Sequence, residues 1–443
     1  MNAATLDFIR QHAQDDVRQL ALRSVPAEVD LRAALTQIEG RQLAAHKLPM
    51  WAATDGLLFP PRLALEQCSS EATAQYKRQL VLRLLEEIRS KEEEPGIREE
   101  EKRDEEQAEN SSFVDLTAGL GVDFAAIAPL FAHATYVDRQ ETLCDLARHN
   151  LPLLGLPQAV VRCSTAEEEL NALTYDATRL GVETSSTSGT SPNTQVSMPP
   201  HPGVRILMID PARRDAAGRK VALIEDCMPD VCILQGQLRT AADFVLIKLS
   251  PMLDLTAALR SLQGVVEVHV VSVGGECKEL LLVLSATATT EDPFIYCSRS
   301  LEQPPFLFRM SEERDCRVEL AVGVQDFLYE PDAALLKAGA FKLLCRRYPV
   351  RKLAADTHLY TSSELVADFP GRRWKVVDSC TFAKSELRRL LSDVPAANLT
   401  LRGFPGSVAT LRKQLRLREG GSVHLIATTL ADGSRHLLRV ERI

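Results

Sequence analysis

The sequence predicts an α/β protein built on a Rossmann-like parallel sheet, with a helical domain before the sheet and an α+β module after it. From Phe113 to Ser285, short apolar runs rich in β-branched residues alternate with helical stretches, which is typical of a parallel sheet. Before residue 92 the apolar residues recur at helical spacing. After residue 286, strand-like and helical segments follow one another less regularly, which favours an α+β module.

The predicted sheet contains seven strands. They are expected at residues 113–116, 135–137, 160–162, 204–209, 244–249, 265–273 and 280–284. The last two are joined by Gly274, Gly275 and Glu276, a link too short for a crossover helix. We therefore expect the first five strands to be parallel and the last one to be antiparallel.

Composition and charge divide the chain further. We predict an N-terminal helical domain at 1–92, in which Ser70 caps a long helix, and an acidic linker at 93–110. The sheet domain is expected at 111–286. It contains a Ser/Thr/Pro-rich insertion at 183–202 that we predict to be disordered.

A small α+β connector at 287–333 and a basic domain at 334–443 are expected to follow the sheet domain. Strands are predicted there at 294–298, 316–322, 423–429 and 435–440, and helices at 332–347, 362–368, 384–391 and 408–417.

Charge is distributed unevenly along the chain. Residues 335–443 contain 20 Lys and Arg against 9 Asp and Glu, a net charge of +11; since the whole chain carries −8, the rest carries −19. Such asymmetry suggests a nucleic-acid-facing module attached to an acidic part. The candidate contacts are Arg412, Lys413 and Arg416 on one predicted helix, and Arg418 just beyond it.

The composition also argues against several classes of protein. The apolar runs are far too short for a membrane span, and the N-terminus lacks the charged cap and apolar core of a secretory signal. The ten cysteines form neither a CxxC pair nor a Cys/His cluster, so we expect no disulfide framework and no metal site. These features predict a cytoplasmic protein without a membrane or metal partner.

A glycine-rich turn follows the first strand. A dinucleotide-binding turn needs a third small residue, but Phe124 stands there. Asp115 precedes Gly119 by four residues, and Asp138 follows Gly121 by 17, at the end of the second strand. A carboxylate at the latter place can accept both ribose hydroxyls of a bound adenosine. This pattern favours S-adenosyl-L-methionine as the cofactor.

The fourth strand ends in Asp210 and Pro211, at the edge where open α/β sheets bind ligands. In amino-methylating enzymes, the corresponding carboxylate and prolyl carbonyl accept hydrogens from the target amine. We therefore predict a methyltransferase domain. The candidate catalytic residues are Asp210, Pro211 and Arg213, and the candidate cofactor-binding residues are Asp115, Thr117, Ala118, Gly119, Gly121, Asp138, Arg139 and Ser164.

Three stretches of the chain carry a resemblance to a known family. They lie at 65–77 (LEQCSSEATAQYK), 115–123 (DLTAGLGVD) and 411–421 (LRKQLRLREGG). The chain resembles bacterial class I S-adenosylmethionine-dependent methyltransferases with a C-terminal THUMP-like domain. Because THUMP domains are associated with structured RNA, the resemblance implies methylation of tRNA or rRNA.

The sequence departs from the usual pattern of these enzymes at three places. Thr117 replaces the first glycine of the loop, and Ser164 stands near the position of an expected acid. The Asp-Pro-Ala-Arg motif lacks an aromatic residue, so stacking on a base would fall to Arg213. Methylation at a pyrimidine C5 needs a cysteine nucleophile after the fifth strand, where this chain has Ser250.

Two other functions remain open from the sequence. The protein could be a small-molecule methyltransferase whose tail serves dimerisation, or a catalytically silent RNA-binding protein that retains the fold.

Overall fold

The computed structural model describes residues 1–92, 110–180, 203–212, 223–288 and 290–443. The predicted linker, apart from Asn110, the predicted insertion at 183–202 and Arg213 lie outside these residues. The chain folds into two compact units. The first comprises residues 1–268 and 279–291, and the second comprises 269–278 and 292–443.

The first unit begins with six helices. They are α1 (Ala3–Gln11), α2 (Val17–Leu20), α3 (Leu31–Lys47), α4 (Pro49–Ala53), α5 (Arg62–Gln67) and α6 (Glu71–Glu92). Polar side chains begin several of them: Asn2, Asp16 and Asp30 accept hydrogen bonds from backbone N–H groups in the first turns of α1, α2 and α3. Ser70 does the same for α6, since its Oγ accepts from the N–H of Thr73 at 3.2 Å.

The seven predicted strands are all present and belong to one sheet. They are β1 (Ser112–Asp115), β2 (His133–Asp138), β3 (Val160–Cys163), β4 (Arg205–Ile209), β5 (Phe244–Leu249), β6 (Val265–Val273) and β7 (Glu276–Ser285). Their order is β3-β2-β1-β4-β5-β7-β6. The first five strands are parallel to their neighbours, and β7 is antiparallel to β5. The predicted Rossmann-like sheet with an antiparallel strand is confirmed.

Five helices connect or follow these strands. They are α7 (Val122–Ile127), α8 (Glu141–Leu153), α9 (Ala166–Leu180), α10 (Val231–Ala241) and α11 (Leu255–Ser261). The strand order reverses direction between β1 and β4, so the loops at their carboxyl ends diverge and leave a crevice. Phe124 on α7 is fully buried and stacks on Phe113 of β1 with ring centroids 5.8 Å apart.

The second unit contains most of the remaining elements. Two strands, β8 (Phe294–Ser298) and β9 (Phe306–Arg309), pair antiparallel and lead into α12 (Met310–Asp315). The strands of a further sheet are β10 (Phe327–Pro331), β11 (Arg351–Ala354), β12 (Thr357–Ser362), β13 (Gly371–Thr381), β14 (Ala396–Arg402), β15 (Arg418–Thr429) and β16 (Arg435–Arg442). Its helices are α13 (Ala333–Ala338), α14 (Lys342–Arg347), α15 (Lys384–Leu390) and α16 (Val408–Leu415).

This second sheet has the order β11-β12-β10-β13-β16-β15-β14. Its neighbouring strands are antiparallel, except for the parallel pair β14 and β15. Two hydrophobic clusters stabilise it. One is centred on Leu399, Leu411 and Leu425, and the other contains Trp374 and Leu438.

Three secondary-structure predictions for this unit are wrong. The helix expected at 332–347 is two helices, because Gly339 adopts a left-handed conformation (φ 79°) that ends α13. Residues 316–322 form only an isolated bridge, from Leu320 to Lys352. No helix forms at 362–368, where the N–H of Val366 donates to the hydroxyl of Tyr329 instead of a helical carbonyl.

Candidate active site

A cavity of about 660 Å³ lies at the carboxyl edge of β1, β2 and β4 in the first unit. The structure brings most of the predicted site residues together around it. These are Asp115, Thr117, Ala118, Gly119, Gly121, Asp138, Arg139, Ser164 and Asp210. Pro211 follows directly and is buried. A cavity of this volume is of the size that small ligands and cofactors occupy.

The loop after β1 turns sharply at two glycines. Gly119 and Gly121 both have positive φ values, 57° and 86°, which L-residues rarely adopt. A Cβ built on Gly121 would lie 3.5 Å from the ring of Tyr136, whose hydroxyl also donates to the carbonyl of Gly119. Tyr136 therefore supports the loop from β2, a role that was not predicted from the sequence.

Asp138 ends β2 with its carboxylate held by backbone groups. The N–H of Gly119 donates to Oδ2 at 3.0 Å, and the N–H of Gln140 donates to Oδ1 at 2.8 Å. A carboxylate oxygen can accept more than one hydrogen bond. The geometry of Asp138 therefore fits the two adjacent hydroxyls of a ribose.

Asp115 ends β1 and is only 2% exposed. The N–H of Thr117 donates to its Oδ1 at 3.1 Å. Burial raises the pKa of Asp115 to about 8, although the hydrogen bond from Thr117 opposes the shift. A buried carboxyl group without a hydrogen-bonded cation among the described residues suits a ligand that brings its own ammonium group.

Lys248 near the end of β5 also lines the cavity. The sequence leaves two interpretations of this residue open, a pocket residue and a strand-end lysine that reaches solvent. Its Nζ lies 2.6 Å from Oδ2 of Asp210 and 3.4 Å from Oδ2 of Asp123. Burial alone would lower the pKa of Lys248, but these two carboxylates hold it well above its ordinary value. Lys248 is therefore an ammonium donor to Asp210 and not a proton acceptor at neutral pH.

The N-terminal helices provide another wall of the cavity. Pro60, Pro61, Leu63 and residues 67–69 line it, and Met228 and Pro229 line it too. None of the described residues that line this cavity is aromatic. The absence of an aromatic side chain in the Asp-Pro-Ala-Arg motif is thus not compensated from elsewhere in the described lining.

The predicted RNA-contacting residues lie in the second unit. Lys413, Arg416 and Arg418 are exposed at the end of α16 and the start of β15. Arg412 is half-buried, since its guanidinium donates to the carbonyl of Ala397 at 3.1 Å and lies 3.7 Å from Glu419.

Metal-binding clusters and membrane-spanning helices are both absent from the described part of the chain. No group of three or more His, Cys, Asp or Glu side chains is arranged to hold a metal ion there. No described helix is both long and apolar enough to cross a membrane.

Several known proteins and protein families are similar to this chain in sequence or structure. Residues 327–370 match a family model for a ferredoxin-like domain, and residues 371–442 match one described as THUMP domain-like. An uncharacterised S-adenosylmethionine-dependent methyltransferase from Mycobacterium tuberculosis (strain H37Rv) is 25% identical over 323 residues, which cover 72% of this chain and 78% of the relative.

A crystal structure from Porphyromonas gingivalis W83 that was assigned to the methyltransferases is similar over nearly its whole length. It is 33% identical, with a TM-score of 0.76, and the match covers 99% of this chain and 97% of that one. The match therefore includes residues of both compact units. The chain belongs to the S-adenosylmethionine-dependent methyltransferases that carry a C-terminal THUMP-like domain.

Proposed function

We propose that this methyltransferase modifies structured RNA, either tRNA or rRNA. The observation that carries the proposal is the THUMP domain-like match at 371–442, which falls in the part of the chain with a net charge of +11. The rest of the chain carries −19 and would repel phosphates. A separate basic surface would bring the RNA to an acidic catalytic unit.

In this proposal, the cofactor is held by the loop after β1 and the ends of β2 and β3. Asp138 accepts the ribose hydroxyls, and Asp115 accepts the ammonium group of the methionine end. The backbone of residues 117–121 approaches the cofactor closely because Gly119 and Gly121 have no side chain. Arg139 and Ser164, which also line the cavity, contact the adenosine end.

The methyl acceptor faces Asp210 and the carbonyl of Pro211. The lone pair of the acceptor atom forms the new bond to the methyl carbon, while the sulfur keeps the electron pair of the bond that breaks. The acceptor then loses a proton to solvent. Asp210 positions the acceptor by accepting its hydrogen, and Arg213 stacks on the base or holds a phosphate.

On the second unit, Lys413, Arg416 and Arg418 contact RNA phosphates. Arg412 belongs to the same proposed surface, although a phosphate would compete with its contacts to Ala397 and Glu419. Such contacts position the RNA without reading its sequence.

The test is transfer of a tritiated methyl group from S-adenosylmethionine to total tRNA and rRNA from a strain lacking the gene. We expect label in one RNA class, a new methylated nucleoside by mass spectrometry, and no label with Asp210→Ala. Cofactor binding without labelled RNA would favour a small-molecule acceptor. Salt-sensitive tRNA binding without cofactor binding would favour a silent RNA-binding protein.

A further inference from the structure

Five charged side chains of alternating sign run from the interior of the first unit to the acceptor end of the cavity. They are Glu279, Lys77, Asp123, Lys248 and Asp210, and the first four are named here the charge array. Lys77 on α6 is fully buried, and its Nζ lies 2.6 and 2.7 Å from the two carboxylate oxygens of Glu279 on β7.

The array continues through Asp123 at the start of α7. Its Oδ1 lies 3.1 Å from Nζ of Lys77, and its Oδ2 lies 3.4 Å from Nζ of Lys248. The hydroxyl of Ser69, which precedes α6, donates to Asp123 at 2.6 Å. Asp123 is therefore fixed by two residues of the N-terminal segment before it meets Lys248.

We propose that the charge array is a positioning device for Asp210, through which Ser69 and Lys77 of the N-terminal segment set the geometry of the methyl acceptor site. Lys248 donates to Oδ2 of Asp210 at 2.6 Å. Asp123 also holds Lys248, at 3.4 Å, and so restricts the ammonium group from following a moving carboxylate. This inference rests on the proposed role of Asp210 in receiving the acceptor.

The energetics favour a functional reason for the array. Buried ion pairs cost desolvation, and apolar side chains of similar volume are often equally stabilising or more so. The four buried or nearly buried charges therefore join α6 to the sheet at a larger desolvation cost than apolar side chains would. The charges fix the orientation of the side chains, because each lysine contacts two carboxylates and has little freedom to rotate.

The position of Lys248 has an alternative explanation. Its ammonium group faces the cavity and could bind the carboxylate of the cofactor directly. In that case, its replacement would weaken cofactor binding. A positioning residue for Asp210 would instead lower the rate of transfer and leave the cofactor affinity unchanged.

The test uses Lys248→Met, Lys248→Arg and a double variant. The double variant combines Lys77→Met with Glu279→Met and so removes one positive and one negative buried charge together. The readouts are the calorimetric Kd for S-adenosylmethionine, kcat with total RNA as acceptor, and thermal unfolding. The matched control is Arg83→Met with Glu267→Met, since this ion pair also joins α6 to the sheet but lies outside the array.

We expect Lys248→Met to lower kcat by about tenfold or more, the effect of losing a hydrogen bond to a charged group. Its Kd should stay within twofold. The loss should appear in kcat rather than in Kd, because the variant removes the ammonium group that holds Oδ2 of Asp210. Lys248→Arg should restore most of the rate, and the Arg83/Glu267 control should resemble the wild type.

The double variant tests the array itself. Without Lys77, Asp123 should draw Lys248 away from Asp210 and lower kcat without changing Kd. If this variant does not fold, Ser69→Ala, which leaves every charge in place, should give the same kcat effect at a smaller size. A wild-type kcat in whichever of these variants folds would overturn the proposal. A Kd that weakens as much as kcat falls in Lys248→Met would overturn it too.

A crystal structure separates this inference from the proposed function. In the double variant, or in Ser69→Ala if that is the one that folds, Nζ of Lys248 should lie farther from Oδ2 of Asp210 than 2.6 Å and closer to Asp123 than 3.4 Å. Unchanged distances would overturn the positioning role whatever the acceptor is. Failure of the wild-type enzyme to label RNA would overturn only the proposed substrate.

Discussion

The side-chain hydroxyl of Thr117 accepts a hydrogen bond from the backbone N–H of Asp210 at 2.6 Å. This bond joins the loop after β1 to the end of β4, two segments that are 93 residues apart in sequence. The backbone N–H of Thr117 also donates to Asp115. Thr117 stands where the usual pattern has a glycine. A glycine could make the backbone bond to Asp115, but only the threonine hydroxyl can accept from Asp210.

Replacement of Thr117 by valine tests this relationship. Valine has the same shape but no hydroxyl, so the N–H of Asp210 loses its acceptor. We expect the free energy of unfolding to fall by about 1–3 kcal/mol. Methyl transfer should fall more than cofactor affinity, because the end of β4 is displaced. Urea denaturation, calorimetry and initial rates measure stability, cofactor affinity and methyl transfer. Thr117→Ser keeps the hydroxyl and should retain wild-type behaviour. A valine variant equal to wild type in all three measurements would contradict the prediction.

Asp138→Ala should weaken S-adenosylmethionine binding by at least about 1.5 kcal/mol, the scale of a charge-assisted hydrogen bond. Two effects contribute, because the variant loses the acceptor for the ribose and releases the N–H groups of Gly119 and Gln140. Calorimetry is the measurement. Asp145→Ala on the exposed side of α8 removes the same charge away from the cavity and should leave the affinity unchanged. Equal affinity of Asp138→Ala and wild type would refute the assignment.

Much of the first unit could be predicted from its sequence. The bounds of β5 and β6 agree with the predicted strands, and the parallel strands elsewhere differ by one to a few residues. Local apolar runs determine these strands because both faces of a parallel sheet are buried. In the second unit, all the strands from β9 to β14 were missed, and β13 and β14 show one reason. Their half-exposed, charged residues give no continuous apolar run, and Arg372, Arg373 and Lys375 lie within β13.

The candidate site was only partly predictable for a related reason. Asp115 and Asp138 end strands, and Gly119 and Asp210 lie just after strands. Topology alone therefore predicts that they share one edge of the sheet. The charge array has no such local signal. Lys77 and Glu279 are 202 residues apart, and Asp123 and Lys248 are 125 residues apart. A buried lysine in the middle of a helix cannot be distinguished by sequence from a lysine on a solvated helix face.

The raised pKa of Asp115 predicts a pH dependence of stability for the cofactor-free protein. The pKa is about 8 in the fold against 3.8 in its absence, so between about pH 4 and 8 the folded state binds a proton that the unfolded state has lost. The free energy of unfolding should therefore fall as pH rises through this window, by up to about 1.4 kcal/mol per unit for one proton. Urea denaturation at pH 5 to 7.5 should show a smaller slope for Asp115→Asn. Identical slopes would contradict the prediction.

The proton on Asp115 should also affect the measured enthalpy of cofactor binding. If the ammonium group of S-adenosylmethionine pairs with Asp115, binding at pH 7 must release the proton from this carboxyl group. Calorimetry in two buffers with different ionisation enthalpies should then give different apparent binding enthalpies. The difference should disappear in Asp115→Asn. A wild-type enthalpy that does not depend on the buffer would remove Asp115 from the cofactor contacts.

Arg416 combines backbone strain with charge. It ends α16 with φ 57° and ψ 38°, and it is the only residue other than glycine with positive φ in the described part of the chain. This conformation costs an L-residue about 1–2 kcal/mol. Arg416→Gly should therefore stabilise the protein by about 1 kcal/mol while removing one positive charge. A stabilising change that weakens RNA binding would indicate that the arginine serves recognition.

The expected size of that weakening follows from counterion release. Each phosphate contact contributes about 0.7–0.9 to the slope of log affinity against log salt. Arg416→Gly should lower the slope for tRNA by this amount, and combination with Lys413→Ala should lower it by about twice as much. Arg416→Lys keeps the charge and should keep the slope. Arg260→Ala removes an exposed positive charge from the first unit, and we expect no effect. If Arg260→Ala lowers the slope as much as Arg416→Gly, RNA binding is not localised to the basic domain. A wild-type slope near zero for both tRNA and rRNA would exclude RNA as the substrate, because phosphate contacts cannot form without releasing counterions.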